Sequence, residues 1–229
     1  WTMSLPNLAY GLQRAKKSPT NGRRRTLHEH NMSDVIPASL TNNPWPEIAR
    51  AVQAGNDAAD AEAALRECVE ASLRINGDAE AYKRPGSLKD GERHFFVGGV
   101  FLVTPDNASH LLVSEWGFPS DQHRLHFPLN TGHPGWVWKN RTPLILENTD
   151  EHADFKQILK TSRMGSALYA PMLWEGQFLG QIIIAAQTRN TFSHPDCNRI
   201  AAIASIATSL FIAKGGPDWL AGVWRDTIG

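Results

Sequence analysis

Hydrophobic positions change their spacing along this chain, and the changes divide it into segments. Over residues 47–75 the apolar side chains Ile48, Val52, Ala58, Ala61, Leu65, Val69 and Leu73 recur at intervals near three and four, which places them on one face of a helix. Pro46 suits a first turn, so the spacing predicts one long amphipathic helix, with Gly55 and Asn56 as the place for a break. Asn76 and Gly77 stop it, since both tolerate the left-handed conformation. Residues 78–93 are charged and without period, which predicts a loop.

From residue 94 the period shortens. Residues 94–104 (HFFVGGVFLVT) are apolar on both faces, 105–107 form a turn and 110–116 (HLLVSEW) return, a hairpin within a buried sheet. Residues 124–129 predict a short strand, 132–139 (GHPGWVWK) one or two helical turns entered through Pro134, and 143–147 another short strand. A surface helix is predicted over 154–160. A second hairpin follows, 166–174 (SALYAPMLW) and 178–187 (FLGQIIIAAQ), turning at Glu175-Gly176-Gln177. Ser193 and Pro195 open a last helix that runs to Ala213 with Ile200, Ile203, Ala207 and Leu210 on one face. Gly215-Gly216-Pro217 stops it, and 218–229 predict either a short docked helix using Trp219, Leu220 and Trp224 or a frayed tail. Strands that come as consecutive hairpins call for an antiparallel sheet with helices over one face, an α+β fold.

Composition narrows the partners. Basic and acidic residues number 23 each, but Arg14, Lys16, Lys17 and Arg23 to Arg25 all precede residue 32, leaving 17 basic and 22 acidic residues over 32–229. That balance offers no broad basic face to nucleic acid. The richest apolar run, 200–213, is interrupted by Ser205, Thr208 and Ser209 and reads as a buried helix, so no membrane span is expected. Cys68 and Cys197 stand far apart, form no metal or disulfide pattern and suit a reducing, cytoplasmic setting. Residues 1–44 are expected to be a disordered leader: 1–31 are polar and without period, and Met32-Ser33-Asp34 resembles an ordinary start with 1–31 lying upstream of it. A basic targeting tail is the alternative for that leader.

Four segments then carry a resemblance. Gly132-x-x-Gly135-Trp136-Val137 leads to Pro143-Leu144-Ile145, followed by 166–172 (SALYAPM), 175–182 (EGQFLGQI) and 192–196 (FSHPD) before the last helix. In this order and spacing they resemble the GAF family over about residues 45–214, with 215–229 as a tail. The resemblance implies a GAF/PAS-like six-stranded antiparallel sheet, its first and last helices on one face and a ligand-pocket insert, residues 120–165, on the other. It implies a sensory module that binds a small organic molecule; a second semi-apolar stripe of alanines makes the first and last helices the expected homodimer surface, and a signalling protein partner is expected. Cofactor and ligand stay open, because the family holds cyclic nucleotides, bilins, haem, nitrate and amino-acid derivatives.

The candidate ligand residues are the aromatics Phe101, Trp116, Phe127, Trp136, Trp138 and Tyr169, with His133, Glu147, Arg163 and Ser166 as polar groups. Aromatic area with a few fixed polar groups is what a small organic ligand needs. Arg163 and Ser166 suit an anion, and Glu147 or Asp150 a cation. His123, His126, His133 and His152 serve as surface or hydrogen-bonding residues or, through His126 or His133, as a haem or metal ligand. No compact metal motif is present in their spacing. The family's minority enzymes reduce free methionine sulfoxide with a thiolate and a resolving cysteine near the pocket; residues 117–165 hold no cysteine, so an enzyme is not expected. A pure dimerisation module, its cavity filled by Trp136 and Trp138, is the remaining alternative.

Overall fold

The computed structural model describes residues 43–152 and 163–229. The expected leader, except its last two residues, and the helix expected over 154–160 lie outside the described residues.

Pro46 sits in the first turn of α1 (Trp45–Asp57). The chain then breaks where the hydrophobic spacing predicts continuity. Ala58 turns extended, with ψ 146°, and Asp60 caps α2 (Ala61–Ile75) by accepting a hydrogen bond from the Ala63 amide at 2.8 Å. Gly55 is not the break. It lies buried within α1, and a Cβ there would stand 2.4 Å from Leu210 Cδ1, so the bare backbone allows α1 to approach the last core helix.

The strands are β1 (Phe96–Val103), β2 (Ser109–Trp116), β3 (His126–Pro128), β4 (Leu144–Leu146), β5 (Ser166–Trp174) and β6 (Gln177–Ala186), with α3 (Gly132–Asn140) between β3 and β4. All pair antiparallel, in the order β3-β2-β1-β6-β5-β4. This is the expected α+β architecture. α4 (His194–Ala213) ends where residues 215–217 were expected to stop it, and Gly215, at φ +66°, turns the chain directly into α5 (Gly216–Ile228). Trp219 of α5 packs edge-on to Phe211, with Leu220 buried beside it, which realises the docked-helix alternative.

Side chains alternate across the sheet and build two separate apolar layers. Phe96, Val100, Leu102, Leu111, Leu168, Ile182 and Ile184 face the helices, meeting Leu65, Val69, Ile200, Ile203 and Leu210. Val97, Phe101, Leu112, Tyr169, Ile183 and Ala185 face the opposite way and pack with Phe127, Val137 and Met164. We call the second side the insert face.

Asp196, 2% exposed, locks the helical layer at one end. Its carboxylate accepts from the Ser193 amide at 2.8 Å, from the Gly77 amide at 3.1 Å and from Arg199 at 2.9 Å, joining the start of α4 to the end of α2. α4 has the length and apolar composition to cross a membrane, which the hydroxyl residues were expected to preclude. Ser205, Thr208 and Ser209 instead donate to carbonyls one turn earlier. In the fold α4 is the central helix, packed on α2 and β5.

His110 is a buried polar member of the insert-face layer, its ring 5.3 Å from Phe127 and 6.2 Å from Phe178. Burial pulls its pKa down to about 4, opposed by its hydrogen bond to the Leu129 carbonyl. Unfolding therefore binds a proton between about pH 6.5 and 4, and stability present above that window falls through it, by up to about 3 kcal/mol. Urea unfolding at pH 7.0, 5.5 and 4.5 is expected to show this loss, and His110→Leu to shallow the slope by about one proton.

Candidate functional site

Cross-strand register sets one row of residues across the insert face. Glu115 pairs with Gly99, Gly99 with Ile183, Ile183 with Tyr169 and Tyr169 with Leu144, so five strands contribute one neighbour each. Strands about 4.8 Å apart put Glu115 and Tyr169 about 14 Å from each other. Ile183, Tyr169 and Ala185 form the floor, and a Cβ on Gly99 would meet Leu112 and Phe118, members of the same layer.

At the Tyr169 end the insert supplies two imidazoles. His133, in the first turn of α3, has its ring centroid 6.4 Å from Tyr169 and 5.8 Å from His152, to which it stands edge-on. Burial raises the Tyr169 phenol, which stays protonated and able to donate. At the other end Glu115 Oε1 lies 2.8 Å from His123 Nδ1.

Beneath α3 the layer is closed. Phe101 and Phe127 meet at a tilt with centroids 5.3 Å apart, Val137 is fully buried, and Gln181 Nε2 donates to the Pro134 carbonyl at 3.2 Å. These residues support the site and do not line it. The hollow expected between the middle strands and the insert depends partly on 153–162, outside the described residues.

Several expected ligand residues lie elsewhere. Register advances from Val100↔Ser114 to Phe101↔Leu112, leaving Val113 as an extra residue in β2. This bulge reverses the alternation, so Trp116 packs against the helix-side core and Glu115 takes the insert-face position. Trp136 and Trp138 are 44% and 37% exposed, because α3 buries the intervening Val137. His126 stands edge-on to Trp224 of α5, at 5.3 Å. Ser166 Oγ is buried and donates to the Thr188 carbonyl at 2.7 Å. Glu147 lines a different cleft of about 460 Å³, between the end of α2 and the start of α4, beside Gly77, Arg84 and Arg199.

Arg163 and Asp150 belong to an ion-pair network at the base of the insert that the sequence did not announce. Arg163 Nε reaches Asp150 Oδ1 at 3.0 Å, and Lys89 Nζ reaches Oδ2 at 2.6 Å. At the centre is Arg189, its side chain 3% exposed, with Nε 3.0 Å from Asp150 and Nη1 and Nη2 both on Glu92. Lys89 and Arg189 hold the Asp150 carboxyl down at about 2. The network joins the 84–94 loop, the two ends of the insert and the loop before α4. Hydrogen bonds from the Arg189 amide to Ser87 and from the Asn190 amide to Glu147, at 2.9 and 2.6 Å, run alongside it.

Both cysteines are free and belong to the helical layer. Burial pushes the Cys68 thiol up to about 12, and burial with Asp196 raises Cys197. Neither is an activated thiolate.

An antiparallel sheet with two helices on one face and a histidine-bearing insert on the other defines an α+β domain. The GAF domain family model matches residues 58–211, and the chain belongs to that family. No curated protein is matched. Similar solved structures include the GAF domain of an Acinetobacter phosphoenolpyruvate-protein phosphotransferase, at 18% identity and TM-score 0.60, covering 76% of this chain and 95% of that one. The corresponding domain from Coxiella burnetii gives 19% identity and TM-score 0.60, covering 76% and 99%. The free methionine-R-sulfoxide reductase of Neisseria meningitidis, solved with its substrate, gives 16% identity and TM-score 0.58, covering 78% and 97%. At these identities the likeness is one of fold.

Removing a buried guanidinium strands the carboxylates around it. Arg189→Met is expected to lower unfolding free energy by about 3 kcal/mol in urea titrations, and Arg189→Lys to recover less than half, since lysine lacks the two-pronged geometry.

Proposed function

We propose that this chain is a ligand-binding regulatory domain that holds a small organic molecule on the insert face, over Ile183 and between Tyr169 and Glu115. The observation that carries this reading is the register-defined row: an apolar floor with hydrogen-bonding groups at both ends, the composition a small-molecule site uses. His133 and His152 form the wall nearest Tyr169.

The ligand's state leaves through the base of the insert. A guest that displaces Asp150 and Arg163 also displaces Arg189, which carries the change into the loop that starts α4. α4 and α2 then present the change to a second copy or a signalling partner. Two free cysteines and the absence of an activated thiol suit a cytoplasmic setting.

Thermal-shift screening of the full chain against metabolites tests the reading. A binder is expected to raise the melting temperature of the wild-type chain and not that of Ile183→Trp, which fills the floor. Binding that Ile183→Trp leaves intact moves the ligand to another surface.

The similarity to the Neisseria reductase favours one further measurement. With free methionine-R-sulfoxide and dithiothreitol the chain is expected to show no turnover, because both of its thiols lie on the helical side. Turnover abolished by Cys197→Ser or Cys68→Ser reverses that expectation.

A further inference from the structure

The cleft of about 460 Å³ between the end of α2 and the start of α4 lies apart from the insert face, and its volume is that of a small-molecule site. Leu146, the last residue of β4, belongs to the insert-face layer, whereas Glu147 after it lines the cleft. The Asn190 amide holds the Glu147 carbonyl at 2.6 Å, which fixes the backbone beneath that side chain. The Glu147 carboxylate stands close enough to the first turn of α4 to help raise the Cys197 thiol. It makes no hydrogen bond or ion pair among the described residues.

The other carboxylates of the cleft are filled. Asp196 accepts from the Ser193 amide and hydroxyl, the Gly77 amide and Arg199, so the start of α4 is capped from within. Asp78 is held by Arg84 and by the Glu80 amide. Arg199 is only half used. Its Nη1 donates to Asp196 and to the Ile75 carbonyl, at 2.9 and 3.3 Å. Its Nε and Nη2 edge, the side that receives a carboxylate through two parallel hydrogen bonds, has no partner among the described residues. A Cβ at Gly77 would stand 3.1 Å from the Phe192 ring, so the bare glycine leaves that ring as an apolar wall.

We infer that this cleft binds a zwitterion, a free amino acid with an apolar side chain. Its ammonium group meets Glu147, its carboxylate the open edge of Arg199, and its side chain the Phe192 wall. A cation alone leaves the guanidinium edge unpaired, and an anion alone is repelled by Glu147, so a singly charged molecule satisfies one end at most. Asn190 follows Arg189 directly, and Glu147 precedes Asp150 by three residues. An occupant of the cleft therefore bears on the ion-pair network at the base of the insert.

The site is independent of the insert face. L-Leucine, isopentylamine, which lacks the carboxylate, and isocaproate, which lacks the amine, are titrated into the full chain by calorimetry, with amide chemical shifts locating each. L-Leucine is expected to bind at least tenfold more tightly than either analogue and to shift the Gly77, Asn190 and Ser193 amides. Glu147→Gln is expected to weaken L-leucine about tenfold without weakening isocaproate, and Ile183→Trp to leave L-leucine binding unchanged. Glu147 is exposed and unpartnered, so its replacement spares the fold. Equal or tighter binding of an analogue at these amides overturns the zwitterion assignment, as does an unchanged L-leucine affinity in Glu147→Gln. L-Leucine that shifts none of the three amides overturns the site itself.

Discussion

The pairing of β1 with its two neighbours governs the rest of this structure. Because successive residues of a strand point to opposite faces, the register of β1 against β2 and β6 decides which side chains meet the helices and which meet the insert. A slip of one residue would carry Ile182 and Ile184 out of the helical core and bring Ile183 into it. The same register, altered by the single extra residue Val113, brings a glutamate to the insert face and sends a tryptophan to the helices.

The two apolar layers do different work. On the helical side, small and branched residues pack α2 and α4 onto the sheet, and a buried aspartate ties their ends together. On the other side the packing is divided. The half beneath α3 is filled by Phe101, Phe127, Val137 and Phe178, while the half around Ile183, Ala185 and Tyr169 ends in imidazoles and a carboxylate. Arg189 ties the insert to the loop preceding β1, since its partners come from both. A buried ion pair contributes little net stability compared with an apolar replacement, but it fixes relative position. Fixed position is what a route from insert to helix requires.

Much of the architecture was legible in the chain. Alternating and continuous apolar runs marked both hairpins, and Ser193 with Asp196 marked the start of α4. The break between α1 and α2 was misplaced because Gly55 resembles a helix breaker, whereas the cause is the capping chemistry of Asp60 and the role of the glycine is to admit Leu210. The site was legible only in part. Phe101, Phe127 and Tyr169 share the insert-face layer and His133 stands beside Tyr169, since each sits on a regular strand or helix facing one way. Trp116 and Glu115 exchanged roles through a bulge that no local residue type signals. Trp136 and Trp138 flank the buried position of a short helix, and aromatic character alone does not say which side of it faces in. Arg163, Ser166 and Glu147 were claimed by partners or surfaces distant in sequence, and Arg189, the most buried of the charges at the insert's base, looked like any loop arginine.

The claim that the insert face is the binding face is tested most directly by three consecutive isoleucines. In a chain with ¹³C-labelled isoleucine δ1 methyls, Ile183 points to the insert while Ile182 and Ile184 point to the helices. Titration with a binder is predicted to shift the Ile183 methyl first and most, with Ile182 and Ile184 following weakly if at all. Larger shifts at Ile182, Ile184 or Ile200, with Ile183 unmoved, would contradict the account.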